Sequence, residues 1–198
     1  MDRSREPDSP KVRILRTATR LFYELGINRV GVDQIATEAD TNKVTLYRHF
    51  ASKEALVAEW LQSTAKVTRA VWDSIASLHP VDGHARLKAL VAMATESIAA
   101  WDRGCPFSNS FAELPNPDHA ARTVIHEQFR FQRAWLDKAC SDAGYADAPA
   151  VADALYFLIR GTTVGLAIDN AEEFEKRERR AMLAVIEGAR CQSAKRRR

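Results

Sequence analysis

Apolar residues in this chain return at helical intervals from block to block, while the valine-threonine-isoleucine alternation of a strand is missing. Leu15, Ala18, Phe22 and Leu25 stand at i, i+3, i+7 and i+10, and Gly26 follows where a helix end favours a left-handed residue. Val32, Ile35, Ala36 and Ala39 repeat the pattern over barely two turns, with Gly31 before them as N-cap and Gln34 in the capping-box position. Asp40-Thr41-Asn42 then interrupts with short polar side chains that tolerate a left-handed turn and cap a third helix, Lys43 to about His49. The fold class is therefore all-α, opening on a helix, a tight turn and a helix.

Ser52 opens a fourth helix and Glu54 favours its positive end; Leu56, Trp60, Thr64, Val67, Val71 and Leu78 continue the stripe for roughly six turns. A helix of that length joins two substructures, a small three-helix head (1–55) and a larger helical body (56–198). Further helices are expected near Gly83 to Trp101, Phe107 to Glu113, Pro117 to Ala143, Ala148 to Ile168 and Ala171 to Arg190. Gly, Pro and Asn-containing breaks at His79-Pro80, Gly104-Cys105-Pro106, Leu114-Pro115-Asn116-Pro117 and Asp169-Asn170 separate them.

Composition excludes classes more than it selects one. Of 198 residues 46% are hydrophobic, enough for one good core, so disorder throughout is excluded. Cys105, Cys140 and Cys191 are far apart and odd in number, which implies neither a disulfide framework nor a zinc site and fits a reducing compartment. The opening MDRSREPDSPKVR has no apolar core of the export type, and no stretch approaches ~18 uncharged apolar residues, so a cytoplasmic protein without a membrane partner is expected. A formal charge of +3 is too weak to mark a nucleic-acid binder, and the terminal Lys195-Arg196-Arg197-Arg198 reads as a solvated tail. No GxSxG, HExxH, CxxC pair, P-loop or GxGxxG occurs, so the chain is not expected to be an enzyme or to carry a cofactor.

On the third helix Leu46 and Phe50 fall together and must face the head's core with Ile35 and Ala36. Val44, Thr45 and Arg48 then project to the opposite side, with Tyr47 and His49 on the flanks and Lys43 in the first turn. That is a narrow face of donors, a methyl group and a cation, the composition of a helix that enters a major groove while its flanks hold phosphates. Ile35 to Leu56, IATEADTNKVTLYRHFASKEAL, resembles the TetR/AcrR-family signature in its Thr-Leu-Tyr, the following His and Phe, and Ser-Lys-Glu; the resemblance covers about residues 12 to 62. It implies a homodimeric DNA-binding transcriptional regulator, most simply a repressor released from a near-palindromic double-stranded operator by a small apolar or amphipathic effector. It further implies a helix-turn-helix DNA-binding domain in the head, 1–55, and ligand binding and dimerisation in the body, 56–198. Position by position it puts Asn42 and Lys43 at the start of the recognition helix, Val44, Thr45 and Arg48 toward bases, Tyr47 and His49 on phosphates, and Lys53 on a further phosphate at a helix N-terminus. A helical small-molecule-binding or partner-recruiting protein that keeps the head without regulating a promoter is the alternative.

Departures from the family pattern bear on the target. Asp40 stands where a turn glycine is usual, Val44 replaces a small residue and favours a thymine methyl, and Gly31 with Asp33 weakens the backbone contact at that edge. In the body, Arg103-Gly104-Cys105-Pro106-Phe107 with Asn109 and Ala112-Glu113 resembles a segment of one TetR subgroup. Trp101, Phe107, Phe111, Phe129 and Trp135 are the candidate walls of an effector pocket, against the plainer reading that they are core aromatics. Gly161 and Gly165, at i, i+4, with Leu183 and Ile186 on the last helix, are the candidate dimer interface; packing within one subunit is the other reading. His119 and His126 share a helix face but lie two turns apart, too far for one metal without further ligands. Cys105 follows a loop glycine with Arg103 near, a weak setting for a stabilised thiolate.

Overall fold

The computed structural model describes residues 8–96, 103–168 and 170–196. Its described residues form helices and connecting turns: α1 (Pro10–Leu25), α2 (Val32–Glu38), α3 (Lys43–His49), α4 (Lys53–Leu78), α5 (Gly83–Glu96), α6 (Pro106–Glu113), α7 (Ala120–Asp142), α8 (Ala148–Ile168) and α9 (Ala171–Arg196). The chain divides into two compact units, Met1–Thr64 with Ser110–Ile125, and Ala65–Asn109 with His126–Arg198. The first unit thus reaches beyond residue 55, because the opening turns of α4 bury Leu56, Val57, Trp60 and Leu61 completely or nearly so. Trp60 packs on Phe22 of α1 with ring centroids 5.5 Å apart.

In the first unit α1 begins at a Ser9 cap whose side chain accepts from the Val12 N–H, with Pro10 at a position where its missing donor costs nothing. The buried stripe of α1 is Ile14, Ala18, Leu21 and Phe22, so the helix is turned from the sequence-based expectation, with Leu15 half-buried and Leu25 exposed. Gly26 ends it at φ 89°, a left-handed value that glycine meets without the Cβ penalty. Gln34 does not close a capping box; its amide donates to Glu38 at 3.0 Å, and Gly31 provides no side-chain cap. Asp40 takes the left-handed turn at φ 51°.

The second unit is built around Trp72, Ile75, Leu87, Leu90, Leu136, Leu155, Met182 and Ile186, drawn from α4, α5, α7, α8 and α9. Here the expected α4 stripe fails in part: Val67, Val71 and Leu78 are exposed, whereas Ala65, Trp72 and Ile75 are buried. Arg86 is 4% exposed and fully employed. It donates to the His79 carbonyl at 2.6 Å, to the Pro80 carbonyl and to the Asp142 carboxylate at 2.5 Å. α7 starts later than Pro117, at Ala120, because His119 caps it: the nearly buried imidazole Nδ1 accepts from the Ala121 N–H at 3.1 Å. α9 runs on to Arg196, past the Arg190 expected, and the part of α5 expected to reach Trp101 lies outside the described residues beyond Glu96.

Gly83 opens α5 directly against the end of α7, where a Cβ would come 2.2 Å from the Ala139 carbonyl oxygen and 2.4 Å from the Ala143 nitrogen. Both are backbone atoms, so neither can swing away. Gly83→Ala should therefore cost roughly 1–3 kcal/mol, the range for overpacking, read in urea as a lower midpoint at unchanged slope. An unchanged midpoint would show that the two helices part at no cost.

Candidate functional site

α3 has only seven residues, far below the length at which an isolated helix persists in water, so its neighbours must hold it. Asn42 caps it, its side-chain oxygen accepting from the Thr45 N–H at 2.8 Å. Leu46 at 0% exposure and Phe50 at 4% anchor its inner face. The turn before it is clamped by Arg13 of α1, whose Nε donates to the Ala39 carbonyl at 3.0 Å and whose Nη2 donates to the Asp40 carbonyl at 2.8 Å. Two carbonyls in the turn that the helix ladder leaves unpaired are thereby satisfied by one planar fork.

With Leu46 inward, the opposite side is open. Val44 is 70% exposed and Tyr47 43%; Lys43, Arg48 and His49 are exposed as well, and Thr45 is half-buried at one edge. The eight residues singled out in the sequence are thus not equivalent. Asn42 spends its side chain on the cap. Lys43 is held by the Asp33 carboxylate at 3.1 Å. Val44, Tyr47, Arg48 and His49 face solvent, and Lys53 is half-buried. Burial pulls the Lys53 ammonium below its ordinary range against the pull of the neighbouring Glu113 carboxylate, so it is a recessed cation.

Glu113, at the end of α6, was visible in the sequence only as part of the Ala112-Glu113 pair. Its carboxylate accepts from the Asn28 N–H at 3.0 Å, its carbonyl accepts from the Asn28 side-chain amide at 2.9 Å, and a Cβ at Gly26 would come 2.9 Å from it. These contacts lie within the first unit and tie α6 to the turn between α1 and α2. Nothing in a glutamate after an alanine signals them, and the same holds for Arg13, one of several arginines on α1.

The second unit holds a cavity of about 270 Å³. Val67, Val71, Trp72, Met93, Phe107 and Ile159 supply apolar wall, with Gln132 and Arg160 among its polar lining. Of the five aromatic candidates, Phe107 alone among those described lines it. Trp135 lies edge-on to Trp72 at 5.2 Å, Phe129 carries the Arg160 guanidinium 4.5 Å above its ring, and Phe111 belongs to the first unit, 3.9 Å beneath Arg122. Trp101 lies outside the described residues. Cys105 lines the cavity half-buried, Cys140 is buried with its thiol pushed up to about 12 by desolvation and the nearby Asp137, and Cys191 is exposed.

Between α8 and α9 runs an open apolar groove that includes Ala154, Phe157, Leu158, Gly161, Phe174 and Val185. Phe157 is 66% exposed there, and the space around Gly161 is empty to 4 Å. Of the residues expected at a dimer interface, Ile186 is 0% exposed and sits in the core of its own chain, and Leu183 packs partly against that core. The surroundings of Gly165 lie outside the described residues.

Residues 14–60 match the family model described as bacterial regulatory proteins, tetR family. The fold is similar to that of a TetR-family transcriptional regulator from Streptomyces coelicolor, at TM-score 0.85 and 26% identity over 91% of this chain and 95% of that one. A putative TetR transcriptional regulator from Streptomyces avermitilis is similar at TM-score 0.76 and 21% identity, covering 92% and 98%. A TetR transcriptional regulator from Legionella pneumophila is similar at TM-score 0.76 and 19% identity, covering 89% and 97%. No curated protein matches the sequence. Residues 14–60 thus carry a head similar to that of the tetR-family regulatory proteins, and the chain shares its fold with TetR-family transcriptional regulators.

The Asp33–Lys43 pair occupies the Lys43 ammonium, so any phosphate that were to bind Lys43 would have to compete with a carboxylate for it. Asp33→Asn should raise DNA affinity by about threefold to tenfold, on the order of the ~1 kcal/mol upper value for an exposed ion pair, measured by fluorescence anisotropy at one fixed salt concentration. Equal affinities would remove Lys43 from the contact surface.

Proposed function

We propose that the chain is a homodimeric, sequence-specific transcriptional regulator and not an enzyme: a repressor that holds a near-palindromic operator and leaves it when a small apolar or amphipathic molecule enters the cavity of the second unit. The observation that carries the reading is the outward face of α3. A buried Leu46 and a capped first turn present Val44, Tyr47 and Arg48 to solvent on a helix narrow enough for a major groove. Val44 suits a thymine methyl and Arg48 a guanine edge, while Tyr47, His49 and Lys43 suit phosphates. Repression is the economical assignment, because occupying a promoter requires no further activation surface.

Two-fold symmetry is the natural way to use so small a head. The groove of α8 and α9, with its exposed Phe157 and the open approach at Gly161, is the self-complementary patch that a second copy would cover. Two heads then read half-sites about one helical turn apart, with affinity that falls steeply as salt rises. α6 carries both kinds of residue: Phe107 near its start lines the cavity, and Glu113 at its end holds Asn28. A ligand that favours a different seat for Phe107 would bias the Glu113 contacts as well.

Selection of bound duplexes from a random DNA pool, with Tyr47→Ala in parallel, should enrich a palindrome with the unaltered protein only. Arg48→Ala should relax base choice at one position per half-site, by about 1–3 kcal/mol of discrimination. Shallow enrichment equal in both proteins would end the sequence-specific reading. For the interface, Phe157→Glu should convert the dimer to monomer in sedimentation velocity; a dimer that survives the buried carboxylate would place the two-fold axis elsewhere.

A further inference from the structure

The arginines that shape the second unit differ in how their charge is met. Arg86 has a carboxylate and two carbonyls, and Arg133 has the Asp137 and Asp153 carboxylates. Arg160 of α8 has neither. Its Nη2 donates to the Gln132 side-chain oxygen at 2.6 Å, and the guanidinium lies over the Phe129 and Tyr156 rings at 4.5 and 5.3 Å. Its Nε and Nη1 are buried and make no hydrogen bond. Among the described residues no carboxylate comes within ion-pair distance of it.

An arginine does not shed its proton, so this charge persists. Amide and ring contacts lower the cost of removing it from water but do not neutralise it. The same side chain lines the cavity with Gln132, which is 6% exposed, and the rest of the lining includes valines, a tryptophan, a methionine and a phenylalanine. The described lining includes no aspartate or glutamate. An anion entering this space would draw on a guanidinium whose Nε and Nη1 are closed off from solvent in its absence, so receiving it requires the side chain to turn toward the cavity, where a charge-assisted bond is stronger than in water. Because Gln132 uses its oxygen on Arg160, its amide nitrogen remains as a further donor.

Resting on the reading of this cavity as the effector site, we propose that the effector is an apolar monocarboxylic acid, its carboxylate received by Arg160 with Gln132 and its hydrocarbon or aryl body held by Val67, Val71, Trp72 and Phe107. The single lining arginine matches one negative charge, and its planar fork matches a carboxylate. A cavity of about 270 Å³ is ample for a phenyl ring with a short chain, since a cavity of about 150 Å³ holds benzene. The arrangement also selects against the corresponding neutral amide, which leaves the guanidinium uncompensated.

The test is calorimetric titration of the full chain with hexanoate, octanoate, phenylacetate and 4-phenylbutyrate, each against its primary amide. At least one acid should bind tenfold or more tightly than its amide. Arg160→Gln should bring that pair within about twofold by weakening the acid, and Arg160→Lys, which keeps the charge without the fork, should fall between. Ala94→Leu, which narrows the cavity at another lining residue, should weaken acid and amide alike and guards against an Arg160 variant that fails to fold. If none of the acids binds, or if the acid preference survives Arg160→Gln, the proposal is overturned. Duplex selection without ligand is run on the same preparations: a protein that selects DNA but binds no acid loses the ligand class alone, and one that binds acid with the Arg160 dependence but selects no DNA keeps this site and loses the regulator.

Discussion

The burial of Leu46 decides what this head can touch. A seven-residue helix lacks the hydrogen bonds to repay its own nucleation, so α3 exists only as far as Leu46 and Phe50 are drawn into the core and Asn42 closes its first turn. Once Leu46 is inside, the 100° step per residue leaves no choice about Val44 and Arg48: they face away. Arg13 adds the second constraint, holding two turn carbonyls and with them the angle at which α3 leaves α2. The outward groups of α3 are therefore oriented by residues elsewhere in the head.

The second unit obeys a different economy. Its core is aliphatic and aromatic, and most charges embedded in it are answered within the chain. Arg86 also draws the Asp142 carboxyl below its ordinary range, chiefly through their hydrogen bond, with Lys138 assisting. Seen beside that network, Arg160 and Arg69 stand out together: each is joined to a glutamine of α7, Arg69 to Gln128 and Arg160 to Gln132, and each lies on an aromatic ring. Amide oxygens supply hydrogen-bond acceptors without charge. One edge of α7 thus carries positive potential into an apolar interior, a costly arrangement for stability alone and a useful one for receiving an anion.

Much of the helical order was legible because burial and period coincide. Leu46, Phe50, Ile35 and Ala36 are spaced as a packed face, and they form one. Val67 and Val71 are expected in the packed α4 stripe and instead line the cavity, at 66% and 38% exposure; a periodic pattern shows which residues share a side of the helix, not whether that side is filled. Ile186 was misplaced for the related reason that α9 is apolar on more than one side, toward its own core and toward the groove with Val185 and Ala181. Arg13, Glu113 and Arg160 could not be found at all. Their roles depend on the distance to carbonyls, to Asn28 and to missing carboxylates far away in sequence, and a charged residue on a helix surface looks the same with or without such partners.

α6 carries Phe107 near its start and Glu113 at its end. The Glu113 contacts comprise two hydrogen bonds to Asn28, one of them to a charged acceptor, and such bonds contribute about 0.5–3 kcal/mol each. Allosteric coupling is typically about 1–3 kcal/mol, so loosening this pair alone spans the range that a regulator uses. A ligand can shift the equilibrium only by its difference in affinity between the two states. For an acid bound at Arg160, that difference need not come from Arg160 itself. The carboxylate anchors the molecule, and its apolar body presses on Phe107, which with Pro106 is the part of α6 that lines the cavity. Recognition and switching would then fall to different parts of one small molecule, which is why a charge-neutral analogue of the same shape is the informative comparison: it retains the pressure and lacks the anchor.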